Sequence, residues 1–172
     1  MAKGAKIQIV LDADVVIHFA KGGRLSQLPS IFPDYEYVLL ETVYEELKSL
    51  RSQVDNQIMR LKNITLQPFA PRGEMLREYA MLRSRFGKGE SACMAYCLFT
   101  HNVIGSSNTR DIRAYCQENQ ITYLTTIDFL WYAWRKHLMT TDEVNAFISE
   151  VRSKGSKLRE VDIEKYVCTT IL

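Results

Sequence analysis

The chain has 172 residues, 47% of them hydrophobic, with 8 Gly, 4 Pro and 4 Cys, the profile of one globular domain and not of a disordered, collagenous or disulfide-dense chain. Its longest uninterrupted apolar run, Ala92 to Phe99, falls far short of the roughly 20 residues that cross a bilayer, so a soluble protein without a membrane segment is expected. Lys and Arg number 22 and Asp and Glu 20, a net charge of +2, too small by itself to mark a nucleic-acid binder.

Met1 to Lys6 carries two lysines but runs into a strand-like segment and not into an apolar core with a small-residue cleavage site. No export signal is expected, and the protein is read as cytoplasmic. Lys6 to Leu11 turns apolar before Asp12, as a strand does on entering a buried sheet. Val15 to Ala20 continues as a helix stopped by Gly22 and Gly23, and Arg24 to Ile31 reads as a second short helix ended near Pro33. A second strand follows at Glu36 to Leu40. Glu41 to Ser52 places Val43, Leu47 and Leu50 at helical spacing, which predicts a long amphipathic helix.

Ile64 to Gln67, before Pro68, predicts a third strand, and Glu74 to Phe86 resumes a helical period through Leu76, Tyr79 and Leu82 until Gly87-Lys88-Gly89 breaks it. Glu90 to Phe99 is nearly all small or apolar, so this helix should pack on the sheet and be buried on most sides. Strands at Val103 to Gly105 and Ile121 to Leu124 flank a helix over Arg110 to Asn119, and helices at Ile127 to His137 and Thr141 to Ser153 follow. Alternating strands and helices predict an α/β fold, a three-layer α/β/α sandwich around a mainly parallel sheet. Residues 1–172 are read as one domain, with 154–172 as a C-terminal tail packed on it.

Cys93, Cys97, Cys116 and Cys168 show no C-x-x-C pairing, so they are expected as reduced thiols. Cys93 and Cys97 share a helical face with His101 as the only nearby third ligand; helix core is the simpler reading, and zinc is not expected.

In open parallel sheets the functional crevice lies beyond the carboxyl ends of the strands. Four acids fall there: Asp12 at the end of strand one, Glu46 on the helix after strand two, Glu90 at the start of the buried helix, and Asp111 after strand four. Singly, each has an ordinary structural role, as a helix cap, a solvated surface charge or a turn residue. Jointly, they project toward one edge of the sheet. Two carboxylates ~6 Å apart repel by about 3 kcal/mol at an effective dielectric near 20, so the cluster calls for a cation. Oxygen-only ligands suit Mg²⁺ or Mn²⁺, which position water for phosphodiester hydrolysis.

These positions carry a family resemblance. Ile9-Val-Leu-Asp12-Ala-Asp14-Val-Val-Ile17 resembles the opening strand of PIN-domain nucleases, Glu45-Glu46-Leu47 their acid-plus-Leu motif, Gly87-Lys-Gly-Glu90-Ser-Ala92 their third acidic segment, and Ser107-Asn108-Thr-Arg-Asp111 the fourth. The likeness continues through Lys21 to Leu25 and into the last helices, and it is greatest to the prokaryotic toxin-type members encoded beside an antitoxin. It implies a Mg²⁺- or Mn²⁺-dependent ribonuclease acting on RNA. Asp12, Glu46, Glu90 and Asp111 would hold the metal, Asp14 and Asn108 would orient water or ligand, and an antitoxin protein and a homodimer are implied as partners. Thr109 stands where the family often has a second Asp, leaving Asp111 as the single carboxylate of its segment. Glu41 and Glu45 compete with Glu46, which alone directly precedes Leu47.

Setting the four acids aside leaves sixteen acidic against twenty-two basic residues, a balance suited to a polyanion. Arg83, Arg85, Lys88, Arg110 and Arg113 are the candidates for holding the phosphate backbone, with solvated helix faces as the alternative. Ser107 and Thr109 could bond phosphate or cap the helix at Arg110. Phe129, Trp131, Tyr132 and Trp134 could stack bases, but their helical spacing favours packing. His18, His101 and His137 lack H-E-x-x-H spacing and a nucleophile partner, so no catalytic histidine is assigned. Two rival readings stand beside the nuclease. Asp12-x-Asp14 also resembles the nucleophile motif of haloacid-dehalogenase-like phosphatases, although the paired acids they need after strand four are not found. A PIN-fold RNA-binding protein without cleavage fits the Thr109 departure.

Overall fold

The computed structural model describes residues 6–172; Met1 to Ala5, on which the reading of the chain's start rests, lie outside the described residues. Five strands form one parallel sheet: β1 (Gln8–Leu11), β2 (Glu36–Leu40), β3 (Thr65–Gln67), β4 (Val103–Gly105) and β5 (Tyr123–Leu124), in the order β3-β2-β1-β4-β5. β1 pairs with both central neighbours, Ile9 opposite Tyr37 on one side and Val103 on the other. Ile9, Val10, Leu11, Val38, Leu39 and Leu40 are wholly buried, as expected of strands covered on both faces, which explains their unbroken apolar runs. Helices flank the sheet on the way between strands, giving the expected α/β sandwich.

From β1 the chain winds outward to β2 and β3, then crosses back to β4 and β5. The carboxyl ends of β1 and β4 therefore flank the point where the winding reverses, the usual place for a binding crevice. Asp12 N–H donates to Gly105 O (2.8 Å), carrying the ladder one residue past β1.

Helix α1 (Ala13–Lys21) begins two residues earlier than expected because Asp12 caps it, its Oδ1 accepting from Ala13 N at 2.8 Å. The helix expected over Arg24 to Ile31 is only a 3-10 turn at Leu28–Ser30. Pro29 has no N–H to donate to Leu25, so an α-helix cannot run through it, and i→i−3 bonds such as Ile31 N to Leu28 O close the turn instead.

The long amphipathic helix expected over Glu41 to Ser52 is likewise broken. Helix α2 covers only Glu41–Tyr44; a 3-10 turn at Lys48–Leu50, helix α3 (Arg51–Asp55) and a π-helical turn at Asn56–Arg60 follow. Glu46 N to Val43 O and Leu47 N to Tyr44 O are i→i−3 bonds, and Leu47 leaves helical backbone at φ −87°, ψ 30°. The break buries Leu47 and directs Glu46 at the start of the next buried helix, so tertiary contacts override local helix propensity.

Helices α4 (Gly73–Arg83), α5 (Lys88–Thr100), α6 (Thr109–Glu118), α7 (Thr126–Arg135) and α8 (Thr141–Ser153) agree with expectation to within a few residues at each end. α5 packs on β1, β2 and β4 and is buried from Gly89 to Ala95. α7 and α8 start with reciprocal capping boxes, Thr125 with Asp128 and Thr140 with Glu143. The aromatic group of α7 packs inward: the Phe129 ring meets Phe19 and Phe32, and Tyr132 meets Phe32 edge-on with centroids 4.8 Å apart. Beyond α8, Leu158, Ile163 and Cys168 are buried, while Tyr132 Oη donates to Thr170 O (2.6 Å) and Tyr166 Oη to Asp128 Oδ1 (2.5 Å).

Candidate functional site

Where β1 and β4 end, a cavity of about 510 Å³ is lined by Asp12, Asp14, Ile17, His18, Glu46, Glu90, Ser107, Asn108 and Lys157 among others. Three of the four acids singled out from the sequence line it, together with Asp14 and Asn108. Asp111 is not in its wall; it is tied to the site through Asn108.

Asp12 is buried, its Oδ2 accepting from Ser106 Oγ at 3.1 Å. Burial pushes its carboxyl up to about 6, with the Glu46 charge adding to the effect and the bonds from Ala13 and Ser106 opposing it. Two residues on, in the first turn of α1, Asp14 accepts from Val15 N (2.6 Å) and Ser107 N (2.8 Å). Burial, and next the charge of Asp12, push it up to about 7.

Glu46 reaches the pit because α2 breaks after Tyr44. Its Oε1 accepts from Gly89 N at 2.8 Å. Gly89 has no side chain to block that approach: a Cβ there would lie 2.9 Å from both Glu46 carboxylate oxygens. The apolar helix α5 thus presents a backbone donor and, one residue later, Glu90. Burial first, then the charges of Asp12 and Asp111, push Glu90 up to about 8. Asn108 Nδ2 donates at 2.8 Å to both Glu90 Oε1 and Asp111 Oδ2, so these carboxylates sit within two hydrogen-bond lengths of each other across one amide.

The sequence assigned no site role to His18, Ser106 or Lys157, and gave Ser107 only as a phosphate ligand or helix cap. His18 lines the cavity with Nδ1 2.8 Å from Thr126 Oγ1, and burial pushes it down to about 4, so it is neutral. Its i+4 spacing from Asp14 on α1 is the signal that could have placed it. Ser107 fastens the loop: its N–H holds Asp14, its hydroxyl donates to Thr126 Oγ1 (2.7 Å) and accepts from Thr126 N (2.8 Å). Lys157 arrives from far along the chain, and nothing local marks it.

None of the five cations proposed from sequence lines this cavity. Lys88 pairs with Glu45 Oε2 at 2.9 Å, Arg83 donates to Phe86 O, and the Arg85 guanidinium lies 5.1 Å from the Phe86 ring centre. Arg110 is exposed on α6, and Arg113 lines a neighbouring cavity.

Among the described residues no three His, Cys, Asp or Glu side chains converge tightly enough to chelate an ion at one point. The donor set still fits a hard dication. Every candidate ligand is a carboxylate, and Glu46 Oε2, Glu90 Oε2 and Asp111 Oδ1 accept no hydrogen bond among the described residues. Burial and mutual repulsion of Asp12, Asp14 and Glu90 create a demand for positive charge that Lys157, the one Lys or Arg lining the pit among the described residues, leaves largely unmet.

Among the described residues no helix is long and apolar enough to cross a membrane. No curated protein matches the chain. The DUF3368 family model, described as a PIN domain, matches residues 8–167, which takes in every strand and helix and all the acids of the pit. The chain belongs to the PIN-domain family.

Proposed function

We propose that the chain is a Mg²⁺- or Mn²⁺-dependent endoribonuclease that hydrolyses RNA phosphodiester bonds at the acidic pit. The observation that carries this reading is the gathering of Asp12, Asp14, Glu46 and Glu90 around one cavity at the reversal point of a PIN-domain sheet, with Asp111 linked in through Asn108. Asp12, Glu46, Glu90 and Asp111 would hold the ion, which when bound would supply a stronger nucleophile and neutralise charge developing on the phosphate.

The chain's own groups define the rest. Asn108 keeps Glu90 and Asp111 oriented by bonding to both. The Ser107 backbone fixes Asp14, which projects into the cavity as a carboxyl able to hold a proton near neutrality and to orient water. His18, neutral and bonded to Thr126, braces the wall beside it. The carboxylates are read as metal ligands and water-orienting groups and not as covalent nucleophiles, so direct attack by water is the proposed reaction class, and a 5′-phosphate product end is expected.

The likeness of the four acidic segments to toxin-type members supports a finer assignment: a cytoplasmic toxin, homodimeric and silenced by a protein antitoxin. A second reading, an RNA-binding protein that keeps the fold without cleavage, draws on Thr109 in place of an acid and on the acids' incomplete convergence. The test is incubation of purified protein with a pool of single-stranded and structured RNAs in Mn²⁺, Mg²⁺ or chelator, beside Glu90→Gln. Metal-dependent fragments with 5′-phosphate ends, absent with the variant, support the nuclease. Cyclic-phosphate ends or cleavage in excess chelator contradict it, and RNA binding without cleavage transfers the assignment to the second reading.

A further inference from the structure

Beside the acidic pit lies a second cavity of about 430 Å³, whose wall includes Ser107, Thr109, Arg113, Thr125, Lys157 and Arg159. Ser107 and Lys157 line both cavities, so the two lie side by side. We propose that this second cavity is a subsite for an internal backbone phosphate of single-stranded RNA next to the cleaved linkage, walled on one side by the segment after α8. The proposal rests on the nuclease reading for the identity of the strand, and on the cavity itself for its chemistry.

The charge pattern carries the argument. Acids in and next to the final segment are already engaged: Glu150 pairs with Lys154 at 2.8 Å, Glu160 with Arg152 at 3.3 Å and Asp162 with Lys165 at 3.0 Å. Arg113, Lys157 and Arg159 form no ion pair among the described residues. The one carboxylate in the cavity wall, Asp128, is buried, and its oxygens accept from Tyr166 Oη, Thr125 N and Thr125 Oγ1. Three cations without counter-charge thus face a cavity rich in hydroxyls, the chemistry that recognises a phosphodiester.

The wall is also fixed. Leu158, between Lys157 and Arg159, is buried, the Arg159 guanidinium lies 5.3 Å from the Tyr166 ring centre, and Thr170 Oγ1 donates to Tyr123 O at 3.1 Å. The two cations are therefore held on an anchored strip and not on a loose tail, which lowers the ordering cost of binding. Adjacency to the pit selects a polymer over a free phosphate: a strand whose linkage lies over the acids has to run its neighbouring phosphate along one rim, and this rim carries Arg113, Lys157 and Arg159.

The experiment measures binding of a fluorescent single-stranded RNA with a 5′-hydroxyl, so that only internal phosphates are available, by anisotropy in chelator across a salt series. Lys157→Ala combined with Arg159→Ala should weaken binding about tenfold or more and lower the salt slope by about 0.7 for each phosphate released. Lys165→Ala, outside the cavity and paired with Asp162, should change neither. Wild-type protein that shows no saturable binding, or a double variant that stays folded by thermal melt and binds within twofold of wild type, overturns the subsite. The nuclease reading fails separately: metal-dependent cleavage that ignores the double variant removes the subsite alone, and cation-dependent binding without cleavage in any metal removes the nuclease alone.

Discussion

Replacing Asp12 by Asn removes a carboxylate whose ionisation the fold opposes, so the metal-free protein should gain stability at alkaline pH. Burial raises this carboxyl from 3.8 to about 6. A carboxyl raised on folding holds its proton more tightly in the native state, so its contribution is fully present below about 3.8 and is lost as pH rises to about 6, with a constant penalty above that. At about 1.4 kcal/mol per tenfold change in proton affinity, the penalty at pH 8 is about 3 kcal/mol. In a domain of this size that corresponds to about 6–12 °C in Tm. Asn keeps an oxygen to accept from Ala13 N, but its amide takes the place of the oxygen to which the buried Ser106 hydroxyl donates, a pH-independent cost of about 1 kcal/mol. Urea denaturation in chelator should show Asp12→Asn more stable by about 2 kcal/mol at pH 8 and no more stable than wild type at pH 4. Adding Mn²⁺ should stabilise the wild type and narrow the gap. An Asp12→Asn protein no more stable than wild type at pH 8 would refute the view of Asp12 as a desolvated acid held in readiness for a cation.

Other consequences follow from the same geometry. Because Asp14 and Glu90 are pushed up to about 7 and about 8, binding of Mn²⁺ should release protons at pH 7, read as a dependence of calorimetric enthalpy on buffer ionisation; buffer-independent heats would contradict this. Asn108→Asp takes the shared donor from Glu90 and Asp111 and adds a like charge, so at pH 8 in chelator it should lose about 1–3 kcal/mol, recovered in Mn²⁺; an unchanged melt would show that the bridge contributes nothing. Gly89→Ala leaves a favourable helix residue but pushes the Glu46 carboxylate aside, so Tm should hold or rise while cleavage falls at least tenfold; equal activity would remove Glu46 from the site. Ser91, wholly buried on α5 with no partner for its hydroxyl among the described residues, should be replaced by Ala with a gain of about 1 kcal/mol in urea denaturation, and a loss would mean that the hydroxyl is satisfied.

The central strands were legible because a strand buried on both faces must be apolar throughout, and β1 and β2 each ran into an acid, Asp12 and Glu41. Glu90 stood out for the same reason, as the one acid opening a helix otherwise small and apolar. What the sequence concealed depends on distant contacts. Helical spacing through Val43, Leu47 and Leu50 is genuine, yet the chain tightens at Glu46 because Gly89, far along the sequence, offers a backbone N–H to its carboxylate. Pro29 was a readable obstacle to the helix drawn through it, since its missing N–H falls in the middle of the span. The cations were hardest: Lys88 looked free beside the site and is engaged by Glu45, whereas Lys157 and Arg159 come from a polar tail whose route is set by burial of Leu158 and Ile163.

The most direct test of the account is the rate of RNA cleavage measured against Mn²⁺ concentration for wild type and Asp12→Asn at pH 7.5. A saturating curve that falls to zero in chelator is expected, and for the variant, folded by thermal melt, a rate lower by at least a hundredfold at every concentration. A rate independent of Mn²⁺, or a variant as active as wild type, would contradict the claim that the acids at the end of β1 and around it are the catalytic centre.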